Sequence, residues 1–374
     1  MIIAGEASGD LHGAKLVEAM KERNPSLHFF GIGGSALRHE GVDLLLDAAE
    51  LSVVGITEVI SKIPAILFGL KTARRALVKL RPHLLILIDF PDFNLHVAAF
   101  AKRVGIPVLY YISPQIWAWR QGRARKIARL IDHMAVILPF EEAFFKNHNV
   151  PVSFVGHPLM DQVCNAGAVD QFDHPVKGFL TVGLVPGSRG GEVMRHLPVM
   201  IGAARLIAER FKAVRFLVSL AASVDRGMVE RLIQEYGANL DIELVADGVE
   251  NVFSRSHANI VASGTVTLQA AICGAPMVVI YSVSPLSYRL GKALIKVPWI
   301  SLVNLIAEKP VVRELIQHEA NPVQITEEVC RMLEHPDVID DMKRDFGEIC
   351  RRLGGSGASV RVAEIALGLA GRKV

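Results

Sequence analysis

Short apolar runs alternate with helix-period segments from one end of the chain to the other, and this alternation limits the fold more than any other feature. In the first half the predicted strands fall at residues 2–4, 28–31, 84–89, 108–112, 135–138 and 152–155, with helical patterns such as 13–23, 94–104 and 141–148 between them. The second half repeats the plan with 179–185, 214–219, 242–245, 258–262 and 277–281. Strands joined through helices make right-handed βαβ units and a parallel sheet. At 374 residues the chain exceeds one comfortable core, so the fold class expected is α/β, two Rossmann-like doubly wound domains. The division expected is 1–164, an aperiodic linker over 165–177, a second domain over 178–353, and a glycine-rich hinge with a terminal helix over 354–374. That helix can pack on either domain or on another subunit, which leaves a homodimer open. Two such domains facing each other would put the carboxyl ends of both sheets around a central cleft, where ligands bind in this class.

Several function classes are disfavoured. The net charge of +3 does not by itself argue for nucleic acid. Cys164, Cys273, Cys330 and Cys350 show no C-x-x-C spacing and read as buried thiols of a cytosolic protein. The thirteen histidines form no metal-binding pattern, so no metal is expected. The start of the chain enters a strand with no signal-peptide pattern, and no apolar run reaches the ~18–20 residues of a membrane span. A cytoplasmic protein able to touch a membrane surface is expected.

Chemistry-bearing residues cluster where strands end. Pro186-Gly187-Ser188-Arg189-Gly190-Gly191-Glu192 is a glycine-rich turn opening a helix predicted over 192–211. Unpaired N–H groups and the helix dipole favour an anion there, and Arg189 adds a fork that matches phosphate oxygens. Ser263-Gly264-Thr265 is a second such turn, and two in one half point to a diphosphate. Gly5-Glu6-Ala7-Ser8-Gly9-Asp10 follows the first strand; it reads either as a turn capped by Ser8 or Asp10, or as a polar-ligand site. Asp89 ends the apolar strand at 84–88, where a carboxylate can take a proton from an attacking hydroxyl; the alternative is a pair with a backbone donor. Asp92 or Asn94 is expected to cap the next helix. Ser113-Pro114-Gln115-Ile116-Trp117-Ala118-Trp119-Arg120 suits stacking on a sugar or an acyl chain, with core packing as the competitor. From 56 to 81 there are six basic residues and one acidic. Ile66, Leu70, Ala73, Leu77 and Leu80 form one stripe of that helix, and Lys71, Arg75 and Lys79 share the opposite face with Phe68. With Ile63 and Ile66 this reads as a membrane-surface patch, against a plain solvated face.

Taken together these motifs resemble the lipid A disaccharide synthases, inverting glycosyltransferases of family 19. The pattern is matched at 5–10, 88–94, 113–120, 138–141 (Leu138-Pro139-Phe140-Glu141), 156–158 (Gly156-His157-Pro158), 186–192, 262–268 and 301–305, in family order over nearly the whole chain. The resemblance implies a B-type glycosyltransferase fold without a metal or other cofactor, acting in lipid A biosynthesis for the Gram-negative outer membrane. It implies transfer of 2,3-diacylglucosamine from its UDP derivative to the 6-hydroxyl of 2,3-diacylglucosamine 1-phosphate, giving a β(1→6) disaccharide phosphate and UDP. On this sequence Asp89 then looks like the general base. Glu6, Ser8, Asp10, Asp92, Asn94, Ser113, Gln115, Trp117, Trp119 and Arg120 look like acceptor- or sugar-side residues. Gly187, Ser188, Arg189, Glu192, Ser263, Gly264, Thr265, Gln269 and Asn304 look like the UDP side. The partners implied are the two diacylglucosamine substrates and the inner leaflet of the inner membrane, with no nucleic acid.

This sequence departs from the family pattern twice. Gln269 stands where a glutamate suited to ribose hydroxyls is usual. A neutral hydrogen bond contributes about 0.5–1.5 kcal/mol against about 1.5–3 for a charged one, so UDP-sugar affinity should fall about tenfold. Val303 precedes Asn304 where proline is common, which bears on loop rigidity. Among competing classes, a UDP-N-acetylglucosamine 2-epimerase would not need Trp117, Trp119 or the amphipathic 56–80 region. A non-catalytic binding protein has only Gln269 in its favour, and a nicotinamide dehydrogenase lacks a complete fingerprint.

Overall fold

The computed structural model describes residues 1–50, 56–165, 179–295 and 297–371, with side chains left undescribed at 56–62, 162–165, 286, 287, 290 and 293. It contains two compact units, Met1–Asp161 with Leu353–Val374, and Gln162–Arg352. The linker expected at 165–177 lies almost wholly outside the described residues, as does the side chain of Cys164.

In the first unit seven parallel strands, β1 (Ile2–Ala4), β2 (Phe30–Gly33), β3 (Asp43–Asp47), β4 (Leu85–Ile88), β5 (Val108–Tyr111), β6 (His133–Val136) and β7 (Val152–Phe154), run in the order 3-2-1-4-5-6-7. Alternate side chains serve opposite faces of the sheet, the two-residue period of a strand. Ile3, Leu85, Leu87, Val108 and Tyr110 pack toward Ala73, Leu77, Val97 and Ile127, while Ile2, Ile86, Ile88, Leu109 and Tyr111 pack toward Leu16, Val17, Val362 and Ala366. Being buried on both faces is why these strands read as continuous apolar runs. The terminal helix Ala358–Ala370 therefore belongs to the first unit, beside helix Ala7–Arg23. Its glycine-rich approach is pinned: Arg361 donates to the carbonyls of Val155, Gly355 and Ser356, and Asp161 accepts from the Gly357 and Ala358 N–H groups.

The second unit holds six parallel strands, β8 (Leu180–Val185), β9 (Val214–Ser219), β10 (Ile242–Val245), β11 (Ala258–Ala262), β12 (Met277–Tyr281) and β13 (Glu314–Ile316), in the order 10-9-8-11-12-13. The strand order reverses direction between β1 and β4 in one sheet and between β8 and β11 in the other. Open α/β sheets part their loops at such switch points and bind ligands there. The sequence-based reading missed β3 and β13, which are edge strands.

Candidate functional site

Each switch point carries one group of predicted residues. In the first unit β1 delivers Gly5 and Glu6, and β4, paired with it at Ala4 and Ile88, delivers Asp89. A Cβ on Gly5 would lie 2.3 Å from the Phe90 ring, so only glycine lets that ring pack across the turn. Asp89 and Phe90 both have φ near 45°, a left-handed conformation that costs an L-residue roughly 1–3 kcal/mol. The surroundings hold them there. The Asp89 N–H donates to Tyr111 O, and its carbonyl accepts from the Tyr110 hydroxyl at 2.5 Å and from Asn94 Nδ2 at 2.7 Å. Burial pushes the Asp89 carboxyl up from 3.8 to about 6, the nearby Glu6 carboxylate pushes the same way, and a Phe90 backbone hydrogen bond partly opposes them. A carboxylate poised near neutral pH at a strained turn is what proton abstraction needs.

Around this turn several expected contacts are put to other uses. Asp10 is buried and caps neither its own helix nor an open site. Its oxygens accept from Gly34, Ala36 and Leu37 N–H at 2.6, 2.9 and 3.3 Å, holding the start of helix Ser35–His39. Neither Asp92 nor Asn94 caps helix Pro91–Arg103: Asn94 braces the carbonyls of Ile88 and Asp89, and exposed Asp92 pairs with Arg123 at 2.8 Å. The Trp117–Trp119 pair divides. Trp117 is 6 % exposed, edge-on to Phe140, and donates through Nε1 to Glu141 Oε1 at 3.0 Å; Ser113 Oγ donates to the same oxygen at 2.7 Å. Core packing is thus the outcome for Ser113 and Trp117. Trp119 is 41 % exposed with the Arg120 guanidinium 3.9 Å above its ring, and Gln115, Glu6 and Ser8 are exposed too. Sequence reasoning gave Glu141 no role. Burial pushes its carboxyl up to about 7 against the hydrogen bonds from Ser113, Leu138 and Trp117.

Helix Ile56–Leu80 turns Ala73, Ala76 and Leu77 inward, with Ile66 and Leu70 partly buried against the same core. Ile66 is therefore core-facing rather than part of a surface patch, and Leu80, expected in the buried stripe, is exposed. The exposed face carries Ile63, Leu67 (60 %) and Phe68 (57 %) together with Lys71, Arg75 and Lys79. A groove of about 760 Å³ runs beside it, with Leu67, Leu70 and Phe100 as apolar wall and Lys71, Arg74 and Lys79 as cationic rim.

The second unit gathers the predicted nucleotide residues into a cavity of about 590 Å³. Gly187, Ser188, Arg189 and Glu192 reach it from the turn after β8, and Ser263, Gly264, Thr265 and Gln269 from the turn and helix after β11. Two helices, Gly190–Arg210 and Val266–Ile272, thus begin at one cavity, and their dipoles favour an anion in it. The Glu192 carboxylate accepts from Ser188 N–H at 3.3 Å and pairs with Arg189 at 3.1 Å, the partners a phosphate would take. Unpredicted His196 steadies the turn: one ring nitrogen lies 3.0 Å from Pro186 O, and the other accepts from Ser282 N–H. Asn304 does not reach the cavity. It is buried, with Nδ2 donating to Val312 O and Glu314 and Oδ1 accepting from Val312 N–H, so its amide holds the loop before β13. Among the described residues no group of three His, Cys, Asp or Glu side chains could hold a metal.

The family model for lipid-A-disaccharide synthetase matches residues 1–353. The chain belongs to that family. Similar proteins include the lipid-A-disaccharide synthases of Syntrophus aciditrophicus, 47% identical over 99% of this chain and 97% of that protein, and of Geobacter sulfurreducens, 45% identical over 100% and 98%. The chain is accordingly an enzyme, a glycosyltransferase of lipid A biosynthesis. Solved structures with the same fold include the UDP-GlcNAc 2-epimerase of Neisseria meningitidis, with a TM-score of 0.65, 12% identity and coverage of 97% and 98%. MurG of Acinetobacter baumannii matches with a TM-score of 0.59, 13% identity and coverage of 98% of each chain. At that identity they establish the B-type glycosyltransferase fold alone, so the epimerase reading gains nothing from them.

Proposed function

We propose that the enzyme joins 2,3-diacylglucosamine from its UDP derivative to 2,3-diacylglucosamine 1-phosphate, with Asp89 as general base and the cavity at Arg189 as the seat of UDP. Asp89 takes the proton from the acceptor 6-hydroxyl, and the oxygen attacks the donor's anomeric carbon from the face opposite the diphosphate. The bond from that carbon to the phosphate oxygen breaks, UDP leaves, and the new linkage is β(1→6). Arg189 and the two helix starts offset the charge growing on the departing diphosphate, an electrostatic role needing no metal.

The observation that carries the reading is Asp89, held in a left-handed turn at the end of β4 with its carboxyl raised to about 6. The exposed apolar and cationic face of helix Ile56–Leu80 supports a further assignment, that the enzyme works peripherally at the cytoplasmic face of the inner membrane. Among the described residues no helix is long and apolar enough to cross a membrane. The test is to incubate the purified protein with both lipid substrates and weigh the product by mass spectrometry. Asp89→Ala should keep UDP binding and lose transfer by about 100-fold or more. Near wild-type turnover would remove the base assignment.

A further inference from the structure

The nucleotide cavity contains a carboxylate that diphosphate binding does not explain. Glu250 stands in the first turn of helix Val249–Arg255, after β10, and lines the cavity with Arg189, Ser263 and Gln269. An acidic residue in a helix's first turn has a plain use, complementing the dipole. That use would not require the carboxylate to be held as it is. Gln269 Nε2 donates to Oε1; since an ionised carboxylate only accepts, the orientation of the Gln269 amide follows from this contact. On the other side the chain passes close under the carboxylate at Gly248, whose φ is 92° and where a Cβ would lie 2.9 Å from Oε2. Glycine thus supplies both the left-handed turn and the room.

The pair presents acceptors to the cavity: both oxygens of Glu250, one already holding Gln269, and Oε1 of Gln269 itself. A carboxylate repels phosphate, so whatever faces it must donate. Gln269 lies one helical turn beyond Thr265, about 6 Å along the axis, so these acceptors stand roughly a phosphate-to-sugar step away from the second anion turn. The donors that a nucleoside diphosphate carries at that remove are the two adjacent ribose hydroxyls. Resting on the UDP assignment of this cavity, we propose that Glu250, oriented by Gln269, receives the ribose 2′,3′-diol and makes the site select ribonucleotides over deoxyribonucleotides. Gln269 is then a positioning residue, and the carboxylate absent from position 269 is supplied by the neighbouring helix. The tenfold affinity loss expected from Gln269 alone does not arise.

Titration calorimetry on the full chain, with UDP and 2′,3′-dideoxy-UDP, tests this. The wild type should bind UDP about tenfold or more tightly than the dideoxy analogue, and Glu250→Gln should weaken UDP about tenfold while leaving the analogue unchanged. The double variant Glu250→Gln with Gln269→Glu should regain the preference, a rescue that a purely structural role for Glu250 would not give. Equal weakening of both ligands, or none of either, overturns the proposal. If the wild type binds the two alike, the diol is not read at all; if it binds neither, the UDP assignment fails first and this inference falls with it.

Discussion

Replacing Asp89 by asparagine should make the protein more stable and nearly inactive, with the stability gain confined to high pH. Raising a carboxyl from 3.8 to about 6 on folding means that the folded chain holds the proton more tightly than the unfolded one. Stability from this group is therefore fully present below about 3.8 and is lost as pH rises through about 6. At 1.36 kcal/mol per pH unit the rise corresponds to about 3 kcal/mol, an order-of-magnitude figure for a largely buried group. Asparagine is neutral throughout and tolerates the left-handed conformation as well as aspartate does, so the backbone near φ 45° need not change. The assay is urea unfolding followed by tryptophan fluorescence, in which Trp117 and Trp119 report on the first unit and Trp299 on the second. Asp89→Asn should exceed the wild type by up to about 3 kcal/mol at pH 8, with the difference closing toward pH 4. A variant no more stable at pH 8, or a gap that ignores pH, would refute the burial argument whatever the variant's activity.

Other outcomes follow from the same contacts. Glu6→Gln removes a charge that raises Asp89, so the acid limb of the kcat/KM profile should move to lower pH; an unmoved limb would separate the two carboxylates. Arg189→Ala should weaken UDP binding by about tenfold or more in calorimetry, and unchanged affinity would shift the diphosphate elsewhere. Replacing Lys71, Arg75 and Lys79 together by alanine should reduce sedimentation with anionic vesicles, at about 1 kcal/mol per charge at the surface; no change would return that face to an ordinary solvated helix.

What was legible in the sequence was mostly local. The central strands announce themselves because burial on both faces makes Leu85–Ile88 or Ala258–Ala262 unbroken apolar runs. Two of the four edge strands do not: Asp43–Asp47 has an acid at each end and is largely open to solvent, and Glu314–Ile316 is three residues long. At the proposed site, Asp89 stands out in the sequence because a carboxylate closing an apolar strand is itself a signal, and the structure adds its left-handed backbone and its raised carboxyl. For Asp10, Ser113 and Trp117 the neighbours along the chain permit ligand roles. Their actual partners, the 34–37 backbone and Glu141, lie more than twenty residues away and become partners only through the fold. The Asn304 amide is likewise claimed by protein groups, here nearer ones, Val312 and Glu314.

The two switch points treat charge in opposite ways, and each way fits the half of the chemistry proposed for it. Around Asp89 the protein withdraws water and sets a second carboxylate nearby, so the ionised form is held at a cost and the group is ready to accept a proton. Around Arg189 the charge stays exposed and is met by the Glu192 carboxylate, three residues on. An exposed pair of this kind contributes little to stability, about 0–1 kcal/mol, so a diphosphate bound as proposed would displace Glu192 at small cost. Had Arg189 been buried in a fixed ion pair, exchanging partners would leave Glu192 desolvated and unpaired, a penalty of about 3–5 kcal/mol set against every binding event. On the roles proposed for them, the base would be tuned by burial, whereas an anion seat that must fill and empty each turnover would be kept wet.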